Sequence, residues 1–447
     1  MSEQKPDPDF LSDFVAKACK AGADAADAIM IDSVSSSASW RMGRNEGVER
    51  AESGDLGLRV LIGHGQAIVS SNDLQTTALN ELIERAVTMA RNAPEDPHCG
   101  LPESDQLTQE VIDLDLADSE MPSSATLLEL AALAEDAARA VDGVTNTEGA
   151  GSNAGKSAIT LANSAGFAGG YLATNFGISA SVIAGSDTQI ERDYEYCSAH
   201  HFSDLEPASD IGQRAGERAV RRLNPRKAKS QQVPVVFDPR LSGGFPRLLA
   251  GLISGAAIAR GTSVLKDKMD KQLFAIGVDI IDDPLRERGL SSRPFDGEGV
   301  PGELRKIVEN GVLTTWLLDT RSARQLKLRS TGHAVRGTST PPSPGPTNLY
   351  MSPGEISRDD LIGNINSGFY VTEMMGMSFN SLTGDYSRGA SGFWIENGEL
   401  AHPVNEMTVA GNIEDMFLKL TPADDLTFRY GVNAPTLRVD GMTVAGV

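Results

Sequence analysis

The sequence predicts an α+β protein in two parts, and three observations lead there. Glycine supplies 45 of the 447 residues while aromatic residues make up only 5%. That balance favours many turns and strands packed with small aliphatic side chains over a long helical bundle. Alternating apolar runs recur in both halves, broken by a few amphipathic helices. Two Asn-Gly pairs in the second half sit between such runs, as tight hairpins require.

Taken in order, a helix is predicted over residues 10–21, closed by Gly22. Strands are predicted at 26–31, 35–42, 56–62 and 66–70. Leu74, Ala78, Leu79, Leu82, Ile83, Ala86, Val87 and Ala90 then recur on one helical face until Pro94 and Pro97 stop the pattern. Residues 94–124 shift to Pro, Asp, Glu and Ser with few large apolar side chains, an acidic connector expected to order only in part. A helix over 125–141 follows a Ser123/Ser124 cap and ends before Gly143. Strands at 144–149, 158–162, 171–183 and 189–198 precede a helix at about 208–223. The mostly polar stretch 224–232, with Pro225, is the expected boundary between an N-terminal α+β domain (1–224) and a β-rich C-terminal domain (233–447).

The second half opens with a buried-type strand at 233–237 and a Gly-rich apolar helix at 244–259. Asn310-Gly311 and Asn397-Gly398 are suited to type I′ hairpin turns. Between them the loop 333–346 carries four prolines in its last six residues. A loop of that length in a compact domain is more often functional than idle.

Charge excludes several function classes. Lys plus Arg number 40 against 61 Asp plus Glu, a formal charge of −21, which repels phosphate backbones and anionic headgroups. Direct nucleic-acid or membrane partners are not expected, and the basic cluster at 221–229 reads as a solvated helix end and linker. Residues 1–9 hold four charged side chains and two prolines, unlike a signal peptide, and no run of about 18 apolar residues follows. A soluble, cytoplasmic protein is expected. Cys19, Cys99 and Cys197 are odd in number and far apart, so no disulfide framework is expected.

Local motifs give little chemistry. Gly149 to Ser157 ends in Gly-Lys-Ser like a phosphate-binding loop, but Ala150 stands where the motif needs glycine. The residues that follow alternate like a strand, so a plain turn between strands is the better reading. His64, His98, His200, His201, His333 and His402 include no pair with metalloprotease spacing. Gly389-Ala-Ser391-Gly392 lacks a residue of the nucleophile-elbow spacing. Only Asp193, Glu195, Cys197, His200 and His201 are dense in ligand types, and alternation would put the first three on one strand face. Against a composite metal or peptidase site there stands a polar strand edge with exposed histidines.

Several segments of the second half together resemble the TldD/PmbA family. They are Gly261-Thr-Ser-Val after the apolar helix, Pro346-Thr-Asn-Leu-Tyr350, the helix-to-strand segment 363–375, Gly392-Phe-Trp-Ile-Glu-Asn-Gly-Glu-Leu, and Ala434-Pro-Thr-Leu-Arg-Val-Asp-Gly-Met-Thr-Val. With the length and the strand-rich first half, the resemblance covers nearly the whole chain. It implies one of two related subunits, TldD and TldE/PmbA, of a cytoplasmic zinc peptidase acting on small or unfolded peptides. The family's older label, modulator of DNA gyrase, is not supported as DNA binding by a charge of −21. In the TldD type, zinc is held by His-Glu-x-x-x-His on the helix before Arg-Gly-Thr-Ser and by a cysteine near the C-terminus.

Here the corresponding helix, 245–259, precedes Arg260-Gly-Thr-Ser263 and contains no His, Glu, Asp or Cys, and no cysteine follows Cys197. The resemblance is therefore to the TldE/PmbA subunit. No catalytic and no metal-binding residue carries over, no cofactor is expected on this chain, and zinc is expected in a TldD-like partner. The isolated chain could form a homodimer. Candidate substrate- or partner-facing residues are Arg260, Thr262, Ser263, Asn348 and Tyr350. Two alternatives stay open: an autonomous peptidase using the Cys197–His201 region, and a homodimeric peptide-holding protein.

Overall fold

The structure is a computed structural model that describes residues 5–186 and 189–446. The chain begins with helix α1 (Pro8–Lys20), capped by the Asp7 side chain, which accepts from the Phe10 N–H. Strands β1 (Ala25–Arg41), β2 (Arg44–Ile62) and β3 (Gly65–Ser71) follow, then helix α2 (Thr76–Arg91). Helix α3 (Ser124–Arg139) has Ser123 as its N-cap, as the sequence predicts. Strands β4 (Val144–Asn163), β5 (Ala168–Ser186) and β6 (Gln189–Ala199) and helix α4 (Ala208–Arg221) complete the first half. Its six strands form one antiparallel sheet in the order β3-β2-β1-β4-β5-β6.

Two expectations about these strands are corrected. Residues 26–31 and 35–41 are not separate strands but parts of the 17-residue β1, and Met42 begins the turn to β2. The segment 149–157 is neither a phosphate loop nor a turn, because β4 runs unbroken through it for 20 residues. The Ser- and Gly-rich stretches lack the apolar alternation that marks a strand. They stay extended because β1 and β4 pair with each other and each has a further neighbour, so the backbone groups are satisfied on both sides.

One sheet face is covered by helices in two groups. Leu11, Phe14 and Val15 of α1 and Leu82, Ile83 and Ala86 of α2 pack on Leu56, Leu58 and Val60. Ala134 and Ala138 of α3 and Ile211 and Ala215 of α4 pack on Ile178, Ala180 and Val182. Ile29 and Leu161 face the other way, toward Phe167 and Phe295. The Phe167 and Phe295 rings meet edge to face at 4.8 Å, joining this sheet to the second half.

The acidic connector packs against the rest of the fold. Leu101, Leu107, Leu114 and Leu116 are buried, and the Arg324 guanidinium donates to the carbonyls of Cys99 (3.2 Å) and Leu101 (2.6 Å). A composition poor in large apolar residues still provides one leucine every several residues, enough to pin an extended chain across two packed layers.

The second half begins with β7 (Gln231–Phe237) and a run of short helices, α5 (Pro239–Ser242), α6 (Gly244–Leu252) and α7 (Gly255–Ala259). The single helix expected over 244–259 is broken at Ile253–Ser254, where Ser254 turns extended and bridges Leu317. That partner lies over 60 residues away, outside any local pattern. Strands β8 (Ile280–Asp282), β9 (Arg305–Glu309) and β10 (Val312–Leu313) come next, then helix α8 (Thr320–Leu326). β11 (Ala334–Val335) and β12 (Ser343–Pro344) form a small hairpin inside the Pro-rich loop, followed by β13 (Leu349–Met351) and helix α9 (Arg358–Gly363).

The long strands β14 (Ser367–Phe379), β15 (Asp385–Glu396) and β16 (Glu399–Asn412) lead to helix α10 (Ile413–Leu418) and strands β17 (Leu420–Pro422), β18 (Val432–Asn433) and β19 (Leu437–Ala445). The order β16-β15-β14-β7-β19 is closed by a β16–β19 pairing, so these strands form a barrel. β10-β9-β8-β13-β18 form a separate sheet beside it. Both Asn-Gly turns are as predicted, with positive φ at Asn310 and Gly311 and at Asn397 and Gly398. Among the described residues no helix is long and apolar enough to cross a membrane.

Candidate functional site

A cleft of about 530 Å³ lies in the second half between the helices α6–α7 and the β14–β15 hairpin. The sequence of α6 explains its orientation. Phe245, Leu249, Ala250 and Leu252 fall on a buried face, while Gly244, Arg247 and Gly251 remain exposed on the other, three and four residues apart. Phe245, Leu248, Leu252, Met374 and Phe379 give the cleft an apolar floor. Tyr386 closes it from β15, its hydroxyl donating to the Met374 sulfur at 3.3 Å.

Polar groups enter at the rim. Arg260 caps α7, and the Thr262 N–H donates back to the Ala257 carbonyl at 3.0 Å, so residues 260–263 are the C-terminal cap of that helix. Arg260 and Thr262 are exposed and Ser263 is buried. All three line the cleft. Arg247 and Arg388 join them, and Arg388 is fixed by its Nε–H donating to the Gly376 carbonyl at 2.9 Å. Arg388, Phe379 and Tyr386 carry no local sequence signal, and Arg247 carries only its position on the polar side of an apolar helix.

Asn348 and Tyr350 lie elsewhere. Asn348 is buried, donating through Nδ2 to the Asp283 carbonyl and to Ser292 Oγ, each at 2.7 Å, and accepting from the Ser291 N–H at 2.9 Å. Each polar atom of its amide is engaged in holding the 283–292 loop. It borders a smaller cavity of about 240 Å³ between the two halves, together with His200. Tyr350 stacks edge-on against Phe428 at 5.0 Å.

The residues Asp193, Glu195, Cys197, His200 and His201 do not converge. Asp193 and Glu195 are buried against arginines: Asp193 lies 2.9 Å from Arg240 and 3.5 Å from Arg222, and Glu195 3.5 Å from Arg214 and 3.7 Å from Arg429. Burial pushes the Cys197 thiol up, away from the thiolate a nucleophile or ligand needs. His200 is buried rather than exposed, with Nδ1 at the Thr174 carbonyl (2.5 Å) and Nε2 at the Gly289 carbonyl (3.2 Å). His201 turns to the Asp115 carbonyl at 2.9 Å. Among the described residues no group of three or more His, Cys, Asp or Glu is placed to hold a metal. On the cleft side, α6 and α7 offer arginine, glycine and aliphatic side chains, a donor set unsuited to zinc.

Three family models match the chain in succession: PmbA/TldA metallopeptidase domain 1 over residues 26–90, the central domain over 117–223 and the C-terminal domain over 230–446. A metalloprotease PmbA of Escherichia coli O157:H7 is 36% identical over 425 residues, covering 95% of this chain and 92% of that protein. The chain belongs to the PmbA/TldD family. A candidate modulator of DNA gyrase from Bacteroides thetaiotaomicron superposes with a TM-score of 0.89 at 27% identity, covering 98% of this chain and 99% of the other. TldE from Thermococcus kodakarensis shares the fold, with a TM-score of 0.86 at 20% identity over 97% of this chain and 99% of its own. Within the PmbA/TldD family C-terminal domain, the cleft is built wholly from residues 244–388.

Proposed function

We propose that this chain is the TldE/PmbA-type subunit of a TldD/TldE heterodimeric zinc metallopeptidase that processes small or unfolded peptides in the cytoplasm. In this reading it encloses part of the substrate chamber and leaves zinc to its TldD-like partner. One observation carries it: the helices facing the 530 Å³ cleft present no side chain able to bind zinc, or to move a proton as a carboxylate does. Beyond Val371, β14 has β15 on one side and no strand on the other among the described residues. That edge supports a role in holding an extended peptide by strand addition. Against the autonomous-peptidase alternative, Asp193, Glu195, His200 and His201 each have a structural partner, and burial pushes the Cys197 thiol up.

The test is to purify the chain alone and together with a TldD-like protein, then measure zinc content and cleavage of unfolded peptides. Zinc and cleavage are expected only when the partner is present. Near-equimolar zinc with peptide cleavage by this chain alone would overturn the assignment, and a stable homodimer that ignores the TldD-like protein would replace it with a peptide-holding role.

A further inference from the structure

We propose that the cleft between α6–α7 and the β14–β15 hairpin is a carboxylate-selective subsite, recognising a peptide carboxylate that adjoins an apolar side chain. The inference rests on reading the cleft as the ligand-facing surface of the chain.

The argument starts from charge. Acidic residues outnumber basic ones 61 to 40 along the chain, yet the cleft is lined by Arg247, Arg260 and Arg388 and by no Asp or Glu. These cations come from three different elements, α6, the end of α7 and β15, so neighbouring sequence positions do not explain their meeting. Several buried arginines elsewhere in this fold are neutralised: Arg59 faces Asp27 and Glu298, Arg240 faces Asp193, and Arg222 faces Glu191 and Asp193. No carboxylate of the described residues lies at ion-pair distance from the three at the cleft. Like charges gathered without a counter-charge repel one another, and a bound carboxylate removes that cost while matching the planar fork of guanidinium geometry.

The floor selects the rest of the ligand. Phe245, Leu248, Met374 and Phe379 provide an aliphatic and aromatic surface, and about 530 Å³ accommodates a residue or two of peptide. A purely polar anion would leave that surface wet. A carboxylate beside a leucine- or phenylalanine-like side chain satisfies both parts. Two sources offer this chemistry, the free C-terminus of a peptide and an Asp or Glu side chain next to an apolar residue.

Calorimetric titration of the full-length chain, without partner or metal, separates them. The probes are acetyl-Leu-Leu-Phe as the free acid, the same peptide as its C-terminal amide, and acetyl-Leu-Leu-Phe-Glu-amide. The free acid is expected to bind at least about 10-fold more tightly than the amide, an advantage that shrinks with added salt. In R247Q/R260Q, whose substituted side chains are exposed, the advantage should fall to less than about 2-fold with affinity for the amide retained. Tight binding of the Glu-containing amide assigns the side-chain source, and weak binding assigns the C-terminus. Equal affinity for acid and amide, a preference that survives in R247Q/R260Q, or no binding of any probe at millimolar concentration would each overturn the proposal. Because no partner is used, this result is independent of whether the chain pairs with a TldD-like protein.

Discussion

Arg336, on the Pro-rich loop of the second half, donates to Asp27 in β1 at 2.5 Å across 309 positions of sequence, and both side chains are almost wholly excluded from solvent. Asp27 also receives the Arg59 Nε–H at 2.8 Å. Burial alone would push the Asp27 carboxyl up, but Arg336 and Arg59 together hold it below the usual carboxylate range. The same loop passes so close to β2 that a side chain at Gly57 would sit 2.1 Å from the Thr338 carbonyl oxygen. The long loop thus fastens the two halves together, which gives its length a structural purpose.

Replacing Arg336 by Met keeps the aliphatic volume but leaves Asp27 with one cation instead of two. Breaking a buried pair from one side typically costs about 3–5 kcal/mol, and because Arg59 remains, a loss near about 3 kcal/mol is expected. Urea denaturation of Arg336→Met against wild type measures it. A change below about 0.5 kcal/mol would show that the contact does not fasten the halves.

Glu298 lies in the same buried cluster, 3.5 Å from Arg59, and accepts the Thr320 N–H at 2.8 Å. Burial pushes its carboxyl up to about 7, with Arg59 opposing and Asp296 reinforcing the shift. A folded value above the unfolded one means that folding retains the proton. The group costs nothing below about pH 4.5, a growing amount as pH rises toward 7, and a constant amount above, of order 3 kcal/mol. Glu298→Gln removes this titration, so its stability relative to wild type should improve from pH 5 to pH 8. Urea midpoints at pH 5, 6.5 and 8 decide it, and a constant difference would refute the assignment.

Asp282 carries the opposite sign. It is fully buried, accepts the Thr347 N–H at 2.7 Å and faces His333 Nε2 at 3.2 Å. Burial raises its carboxyl, but the His333 and Thr347 contacts outweigh this and lower it overall. Its stabilisation is present above about pH 4 and lost as pH falls through the depressed folded value. Asp282→Asn should cost about 2 kcal/mol at neutral pH and progressively less in acid. Thermal melts of both proteins at pH 7 and pH 3 compare the two gaps, and a gap that widens at pH 3 contradicts the expectation.

Gly212 sits where α4 crosses α3, and a Cβ there would meet the Ala134 carbonyl oxygen at 1.9 Å. Alanine is the better helix former by about 1 kcal/mol, yet the helices would have to separate, so Gly212→Ala should destabilise by about 1–3 kcal/mol net. A rise in the melting temperature would show that the helices yield more easily than this packing implies.

What the sequence reveals of this fold follows the range of the interaction. Ser123 as a cap, the α2 face from Leu79 to Ala90 and the Asn-Gly turns at 310 and 397 are set by neighbours within a few residues and are found as predicted, whereas Leu74, expected on that face, precedes the helix and is exposed. The unbroken β1 and β4, the break at Ser254 and the anchored connector depend on partners far along the chain. The cleft divides the same way. Arg260, Thr262 and Ser263 could be marked because they follow a recognisable helix, whereas Arg247 and Arg388 become neighbours only when the barrel brings β15 beside α6. Asn348 stands out in sequence through the Pro346–Tyr350 segment, but its amide is spent on the 283–292 loop.

The barrel also dictates an order of events during synthesis. Every strand of the first sheet lies within residues 25–199, so that sheet can close while the rest of the chain is still being made. β7 cannot, since Phe237 pairs with Leu437, 200 positions later. At ordinary ribosomal speeds Val233, Val235, Val236 and Phe237 wait roughly 10–40 s for that partner. During this interval β7 has at most β14 beside it, so the nascent chain carries an apolar strand with an open edge until β19 emerges.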